Sequence, residues 1–148
     1  MCSSDLEDLF LEEALYLNAP PARVAVLQKQ VDKIKHLEQS DSDAPAMLGE
    51  PAFFWLDVKG YDATAALKKL TVPVLALGGG RDFQSPAKQF ELWKAALAGR
   101  KGSMAKSYEN LNHLFIAGEG KGTDAEYRKP NQHVAPEVIG DIAAFMGK

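Results

Sequence analysis

The segment that most constrains the fold is an apolar stretch, residues 71–77, that runs into three consecutive glycines at residues 78–80. Valine, leucine and threonine dominate it, and its lack of alternating polar side chains predicts a strand that is buried on both faces. A weaker strand candidate, residues 104–108, follows later in the chain. Because a two-stranded sheet is marginal without further pairing, the sequence predicts a sheet that needs additional strands.

Helices are predicted in the N-terminal part of the chain. Apolar residues recur every three or four positions within residues 6–17 and residues 24–34. This spacing predicts two amphipathic helices that form a hairpin, the first of them beginning near Ser4. An aromatic cluster at residues 53–55 is too short for a long helix, so it is expected to be a packed connecting segment.

Two further helices flank the second strand candidate. Ser85 followed by Pro86 predicts the start of a helix with Ser85 as its N-cap, and Gly99 marks its end. A last helix is predicted from apolar residues expected to face inward, namely Val138, Ile139, Ile142 and Phe145. Helices and strands therefore alternate, which predicts an α/β fold with parallel strands. We expect a helical part at residues 1–58 and an α/β part at residues 59–148.

Composition and charge exclude several classes of protein. The chain has 17 Lys and Arg against 20 Asp and Glu, a net charge of -3, and no basic cluster, so we expect no nucleic-acid partner. Its apolar runs are too short for a membrane span and its N-terminus has no leader-like pattern, so we expect no membrane association. The single cysteine, Cys2, excludes a disulfide scaffold and favours a cytoplasmic setting. The three histidines lack metal-ligand spacing, and neither a metal nor a cofactor is expected.

Asp82 and His113 are the candidate catalytic residues. Asp82 follows the first strand and its glycines, and His113 follows the second strand candidate. Because parallel strands end at the same edge of a sheet, both side chains are expected at the edge where α/β proteins place their ligands. There an aspartate can accept the Nδ1 proton of a histidine that takes another proton from a nucleophile. The alternatives are a turn aspartate and a loop histidine without catalytic roles.

Two stretches of the second half, residues 72–84 and residues 108–115, resemble the C-terminal half of an α/β-hydrolase. The resemblance is closest to the dienelactone-hydrolase-like and prolyl-oligopeptidase-like esterases, and it extends into residues 125–139. Residues 5–57 resemble the helical cap that such enzymes carry. The resemblance implies a partial α/β-hydrolase fold, with few parallel strands, flanking helices and an N-terminal cap segment.

The resemblance also assigns roles to the two candidate residues. Asp82 matches the acid of the family's catalytic triad, and His113 matches its general base, with the nucleophilic serine upstream of both. That serine belongs to a Gly-x-Ser-x-Gly turn, and no such motif occurs in this sequence. We therefore expect that the nucleophile-bearing N-terminal half is missing and that the chain alone is a poor catalyst.

Two functions are open at this point. In the first, the chain is part of a serine hydrolase of the carboxylesterase type and acts on a small ester once a missing N-terminal half supplies the serine. In the second, it is a non-catalytic α/β-hydrolase remnant. Such a remnant would self-associate as a dimer or another homo-oligomer, because its strands lack neighbours.

Overall fold

A computed structural model describes residues 6–147 of the chain. Cys2 and the predicted helix start at Ser4 lie outside the described residues. Within this range, every helix is either too short or too polar to cross a membrane. The chain divides after Ala63 into two compact units. The sequence predicts a boundary after residue 58, and the assignment of the first part to a hydrolase cap stays a prediction.

The first unit, Met1–Ala63, is helical in its described part. Its first two helices, α1 (Leu6–Tyr16) and α2 (Pro21–Lys35), pack against each other. Lys35 at the end of α2 pairs with Asp8 near the start of α1, with Nζ and Oδ1 2.7 Å apart. The two helices are therefore antiparallel, which confirms the predicted hairpin.

An aromatic core follows in the same unit. After a 3-10 helix (Gln39–Asp41), the aromatic cluster forms a short helix, α3 (Ala52–Val58). Trp55 is 1% exposed, and its Nε1 donates a hydrogen bond to the carbonyl oxygen of Met47 at 2.9 Å. Its ring and that of Phe54 form a T-shaped pair, with centroids 5.1 Å apart. The buried residues of this core are Ile34, Leu37, Met47, Ala52 and Trp55. The segment is packed, as predicted, but it is helical.

The second unit, Thr64–Lys148, contains a small parallel sheet with helices around it. In chain order the elements are α4 (Ala63–Lys68), β1 (Leu75–Gly79), α5 (Ala87–Leu97), β2 (Met104–Tyr108), a 3-10 helix (Asp124–Arg128) and α6 (Pro136–Met146). The strands β1 and β2 are parallel, and Gly79 at the end of β1 lies opposite Tyr108 at the end of β2. This parallel pair confirms the predicted alternation and is compatible with a partial α/β fold.

β1 is shorter and less buried than predicted. It begins at Leu75 rather than at residue 71, and it includes two of the three glycines. All five of its residues are half-buried, and Val72 before it is 58% exposed. Within the described residues β1 pairs only with β2, so its second edge has no neighbouring strand to cover it. The prediction of a strand buried on both faces is therefore wrong.

Two helix predictions also need correction. The N-cap of α5 is Pro86, and no side chain caps the helix, so Ser85 does not have the predicted role. In α6, Val138 is buried, but Ile139 and Ile142 are 58% and 39% exposed. Ile139 is exposed because α6 contacts its neighbours through the face that carries Val138, and adjacent helical positions point in different directions. Ile142 lies one turn beyond Val138 and does not belong to the buried cluster around it.

Polar contacts tie α6 to the end of β2. The hydroxyl of Tyr108 donates a hydrogen bond to Asp141 Oδ2 at 2.6 Å, and Lys106 forms an ion pair with the same carboxylate. Burial and the hydrogen bond with Asp141 raise the pKa of Tyr108 well above its usual range. The hydroxyl therefore remains a donor at neutral pH and holds the strand end from which the next loop begins.

Candidate functional site

The structure brings Asp82 and His113, called the candidate pair below, together at one end of the sheet. Asp82 follows β1 and His113 follows β2, and because the strands are parallel, both strand ends lie at the same edge. His113 Nδ1 lies 2.9 Å from Asp82 Oδ2, which is a hydrogen-bond distance. The two side chains thus meet at the edge where the sequence places them.

The carboxylate of Asp82 is held in position by its own loop. Its Oδ1 accepts hydrogen bonds from the backbone N–H groups of Gln84 at 2.9 Å and Ser85 at 2.8 Å. This leaves Oδ2 for His113. The Asp82 side chain is 7% exposed, whereas the His113 side chain is 43% exposed. A neutral imidazole whose Nδ1–H is bound by a carboxylate presents Nε2 as a proton acceptor.

Glycines allow the end of β1 to approach the loop after β2. A Cβ on Gly79 would lie 2.5 Å from the carbonyl oxygen of Leu111, and one on Gly80 would lie 2.6 Å from that of Glu109. Both obstacles are backbone atoms, which cannot turn aside as a flexible side chain can. The short distance within the candidate pair therefore depends on the absence of side chains at these two positions.

Arg81, the residue before Asp82, is buried and engaged in several contacts. Its side chain is 7% exposed and forms an ion pair with Glu126 of the 3-10 helix, and its Nε donates to the carbonyl oxygen of Gly120 at 2.7 Å. Burial by itself would raise the pKa of Glu126. Hydrogen bonds from Arg81 and Asn112 outweigh burial, so the pKa of Glu126 lies below its usual value. The carboxylate is therefore charged at neutral pH.

Asn112, the residue before His113, is fully buried. Its Nδ2 donates a hydrogen bond to Glu126 Oε2 at 3.1 Å. Its Oδ1 accepts hydrogen bonds from the backbone N–H groups of Leu114 at 3.0 Å and Ile116 at 3.1 Å. Asn112 therefore closes the turn that contains His113 and joins that turn to Glu126.

Sequence reasoning missed the three residues of this network, Arg81, Asn112 and Glu126. A usable signal existed for two of them, because a polar residue directly precedes each member of the candidate pair. Glu126 has no comparable signal. Its importance depends on the folded chain bringing the 3-10 helix beside loops that are distant in sequence.

A cavity of about 390 Å³ lies beside the candidate pair. Its lining includes the residues of β1, Phe90 and Trp93 of α5, and both Asp82 and His113. Ligand sites commonly combine such apolar walls with a few polar groups that orient the ligand. The cavity can therefore hold an apolar group next to a histidine that is able to accept a proton.

The second unit has three serines, of which Ser107 lies in β2 opposite Gly78. Ser85 lines the cavity, and its backbone N–H binds Asp82. Ser103 Oγ accepts a hydrogen bond from the backbone N–H of Val74 at 3.0 Å.

Across residues 6–147, no group of three or more His, Cys, Asp or Glu side chains is placed to hold a metal ion.

The chain is similar to a known esterase. It is 35% identical over 145 residues to Esterase EstD of Thermotoga maritima, and the aligned region covers 97% of this chain and 34% of that esterase. The chain thus spans about a third of the length of this relative. No family model matches the chain, and no solved structure matches it. The similarity supports an esterase-like fragment.

Proposed function

We propose that this chain contributes the acid and the general base of a serine carboxylesterase-like α/β-hydrolase, with Asp82 as the acid and His113 as the base. The nucleophilic serine comes from a segment outside these 148 residues. The observation that carries the proposal is the 2.9 Å distance between His113 Nδ1 and Asp82 Oδ2 at the ends of two parallel strands. The 35% identity to an esterase, in an alignment that covers 97% of this chain, supports the reaction class.

The proposed reaction transfers an acyl group from an ester to water. His113 Nε2 takes the proton of the serine hydroxyl while the serine oxygen attacks the ester carbonyl carbon. Asp82 holds the Nδ1 proton and stabilises the imidazolium. The imidazolium then protonates the leaving alcohol. A water molecule activated by His113 hydrolyses the acyl-serine, which releases the carboxylic acid and regenerates the serine.

The cavity supports a preference for esters that carry an apolar group. Phe90 and Trp93 are part of its lining, on the same cavity as His113. Aromatic side chains provide a large apolar surface for an acyl or alcohol group. A bound ester would rest its apolar part on these rings and direct its carbonyl group toward the candidate pair.

A chimera tests this function. The chain replaces the aligned segment of Esterase EstD, circular dichroism verifies folding, and hydrolysis of p-nitrophenyl acetate is measured. We expect an active chimera, and a loss of roughly 10⁴-fold in kcat for Asp82→Asn or His113→Ala. The control is His133→Ala, at an exposed histidine outside the candidate pair, which should retain activity. A folded, active chimera that is unaffected by His113→Ala would contradict the proposal.

A second candidate function is non-catalytic self-association. It is favoured by the sheet, because among the described residues β1 has a strand partner along only one edge. An open strand edge can pair with a strand of another chain. The partner would then be a second copy of this chain rather than the remaining part of an esterase.

A further inference from the structure

The residues that precede the two members of the candidate pair share one carboxylate. Arg81 binds Oε1 of Glu126, and Asn112 donates to Oε2 at 3.1 Å. Each oxygen is thus engaged by a different loop, one after β1 and the other after β2. One rigid peptide bond joins each of these residues to its neighbour in the candidate pair. Glu126 is therefore connected to the residues that directly precede both members of the candidate pair.

Backbone hydrogen bonds also join the two loops, but the two that extend the strand pairing end at Leu111, before Asn112 and His113. Gly80 N–H donates to the carbonyl oxygen of Tyr108 at 2.8 Å, and Arg81 N–H donates to that of Leu111 at 2.9 Å. These bonds continue the pairing of the strands beyond their ends. The bridge through Glu126 adds a connection to the Asn112 side chain, directly beside the candidate histidine.

Glu126 and two backbone N–H groups together orient the Asn112 amide. Because Nδ2 faces Glu126, Oδ1 faces the backbone N–H groups of Leu114 and Ile116, at 3.0 and 3.1 Å. Without the carboxylate acceptor, the buried amide nitrogen loses its hydrogen bond. The amide would then rotate or shift, and the turn that holds His113 would relax with it.

The bridge formed by Arg81, Glu126 and Asn112 is largely shielded from solvent. The side chains of Arg81 and Glu126 are 7% and 14% exposed. The glycine-rich loop, residues 118–122, closes on the arginine. A Cβ on Gly118 would overlap with Arg81 Nη1, and one on Gly122 would overlap with the Arg81 carbonyl oxygen. In such a site, removing one charge leaves its partner uncompensated, so the local structure must rearrange.

We propose that Glu126 is a positioning residue that keeps Asp82 and His113 at hydrogen-bond distance by way of Arg81 and Asn112. The catalytic consequence of this role rests on the proposed function. The geometric consequence does not, because the contact between the candidate pair can be measured in the absence of any activity.

The test is nitrogen NMR of the full chain with ¹⁵N-labelled histidine at mildly alkaline pH, with His113 assigned from His113→Ala. A carboxylate on Nδ1 enforces the Nδ1–H tautomer. We expect this tautomer in the native chain and a shift toward Nε2–H in Glu126→Gln. The control is Asp124→Asn in the same 3-10 helix, where an exposed carboxylate pairs with Arg128 at 3.1 Å; it should keep the native tautomer. The proposal is overturned if folded Glu126→Gln keeps the Nδ1–H tautomer. It is also overturned if the native chain lacks that tautomer.

A second variant addresses the possibility that Glu126→Gln does not fold. Glu126→Asp retains the negative charge beside Arg81 but is one methylene too short to reach both partners. We expect the same change of tautomer, and its absence overturns the proposal. When either Glu126 variant is introduced into the chimera with Esterase EstD, kcat should fall by about 10²-fold with little change in KM. An inactive chimera with the NMR effect present refutes the proposed function alone, whereas a native tautomer in either folded variant refutes the positioning role whatever the activity.

Discussion

Asp82 uses its two carboxylate oxygens for different interactions, and this division explains why an amide would be a poor substitute. Oδ1 accepts two backbone hydrogen bonds within its loop, and Oδ2 contacts His113 Nδ1 at 2.9 Å. In Asp82→Asn the amide oxygen can still accept the loop hydrogen bonds. The amide nitrogen would then face the imidazole, donate to Nδ1 and enforce the wrong tautomer for a general base.

Glu126 makes the stability of the chain depend on pH. Its folded pKa lies below the ordinary value of 4.5, so its contribution to the free energy of unfolding is present above pH 4.5 and is lost as the pH falls through the folded pKa. Glu126→Gln lacks this titration. We therefore expect the stability difference between the native chain and Glu126→Gln to shrink on acidification. Urea unfolding from neutral pH to about pH 3 measures it, and a difference that stays constant would contradict the expectation.

At the scale of single elements, the end of β1 depends on close contact with the loop after β2. Gly79→Ala places a methyl group 2.5 Å from the Leu111 carbonyl oxygen. We expect the free energy of unfolding to fall by about 1–3 kcal/mol, as for other overpacked sites, together with a shift of the His113 tautomer.

A glycine without close neighbours is the control for this substitution. A Cβ on Gly140 in α6 would meet nothing within 4 Å, so Gly140→Ala should raise stability by about 0.5–1 kcal/mol. Urea unfolding of the native chain and both variants measures the effects. A Gly79→Ala chain as stable as the native chain would show that the two loops are not held together as closely as described.

Local sequence patterns identified most elements of the fold but not their surroundings. β2 lies where it is predicted, at Met104–Tyr108, and the hairpin of α1 and α2 follows from apolar spacing. Apart from the start of β1, the cap of α5 and the helical state of residues 52–58, the errors concern burial: β1 is half-buried, and Ile139 is 58% exposed. An apolar pattern shows which side chains would be stabilised by burial, whereas only the arrangement of neighbours decides which of them are covered.

At the scale of the whole molecule, the open edge of β1 leads to an expectation about association. We expect the purified chain alone to have the mass of two or more chains by light scattering and to lack p-nitrophenyl acetate hydrolysis, because a strand edge is open and the nucleophile motif is absent. An inactive monomer would count against self-association and favour complementation by an esterase segment. If the chain alone hydrolyses the ester and His113→Ala abolishes this activity, the nucleophile lies within these 148 residues.

The sequence by itself determined most of the helical and strand segments and the candidate pair, because neighbouring residues mark them: apolar spacing for the helices, glycines before Asp82, and a polar loop around His113. Only the tertiary structure decided that Glu126 joins the loops of that pair. Its partners Arg81 and Asn112 lie 45 and 14 residues away in sequence. A buried ion pair between distant residues forms only when the fold excludes water from both charges at once, and no local pattern encodes that.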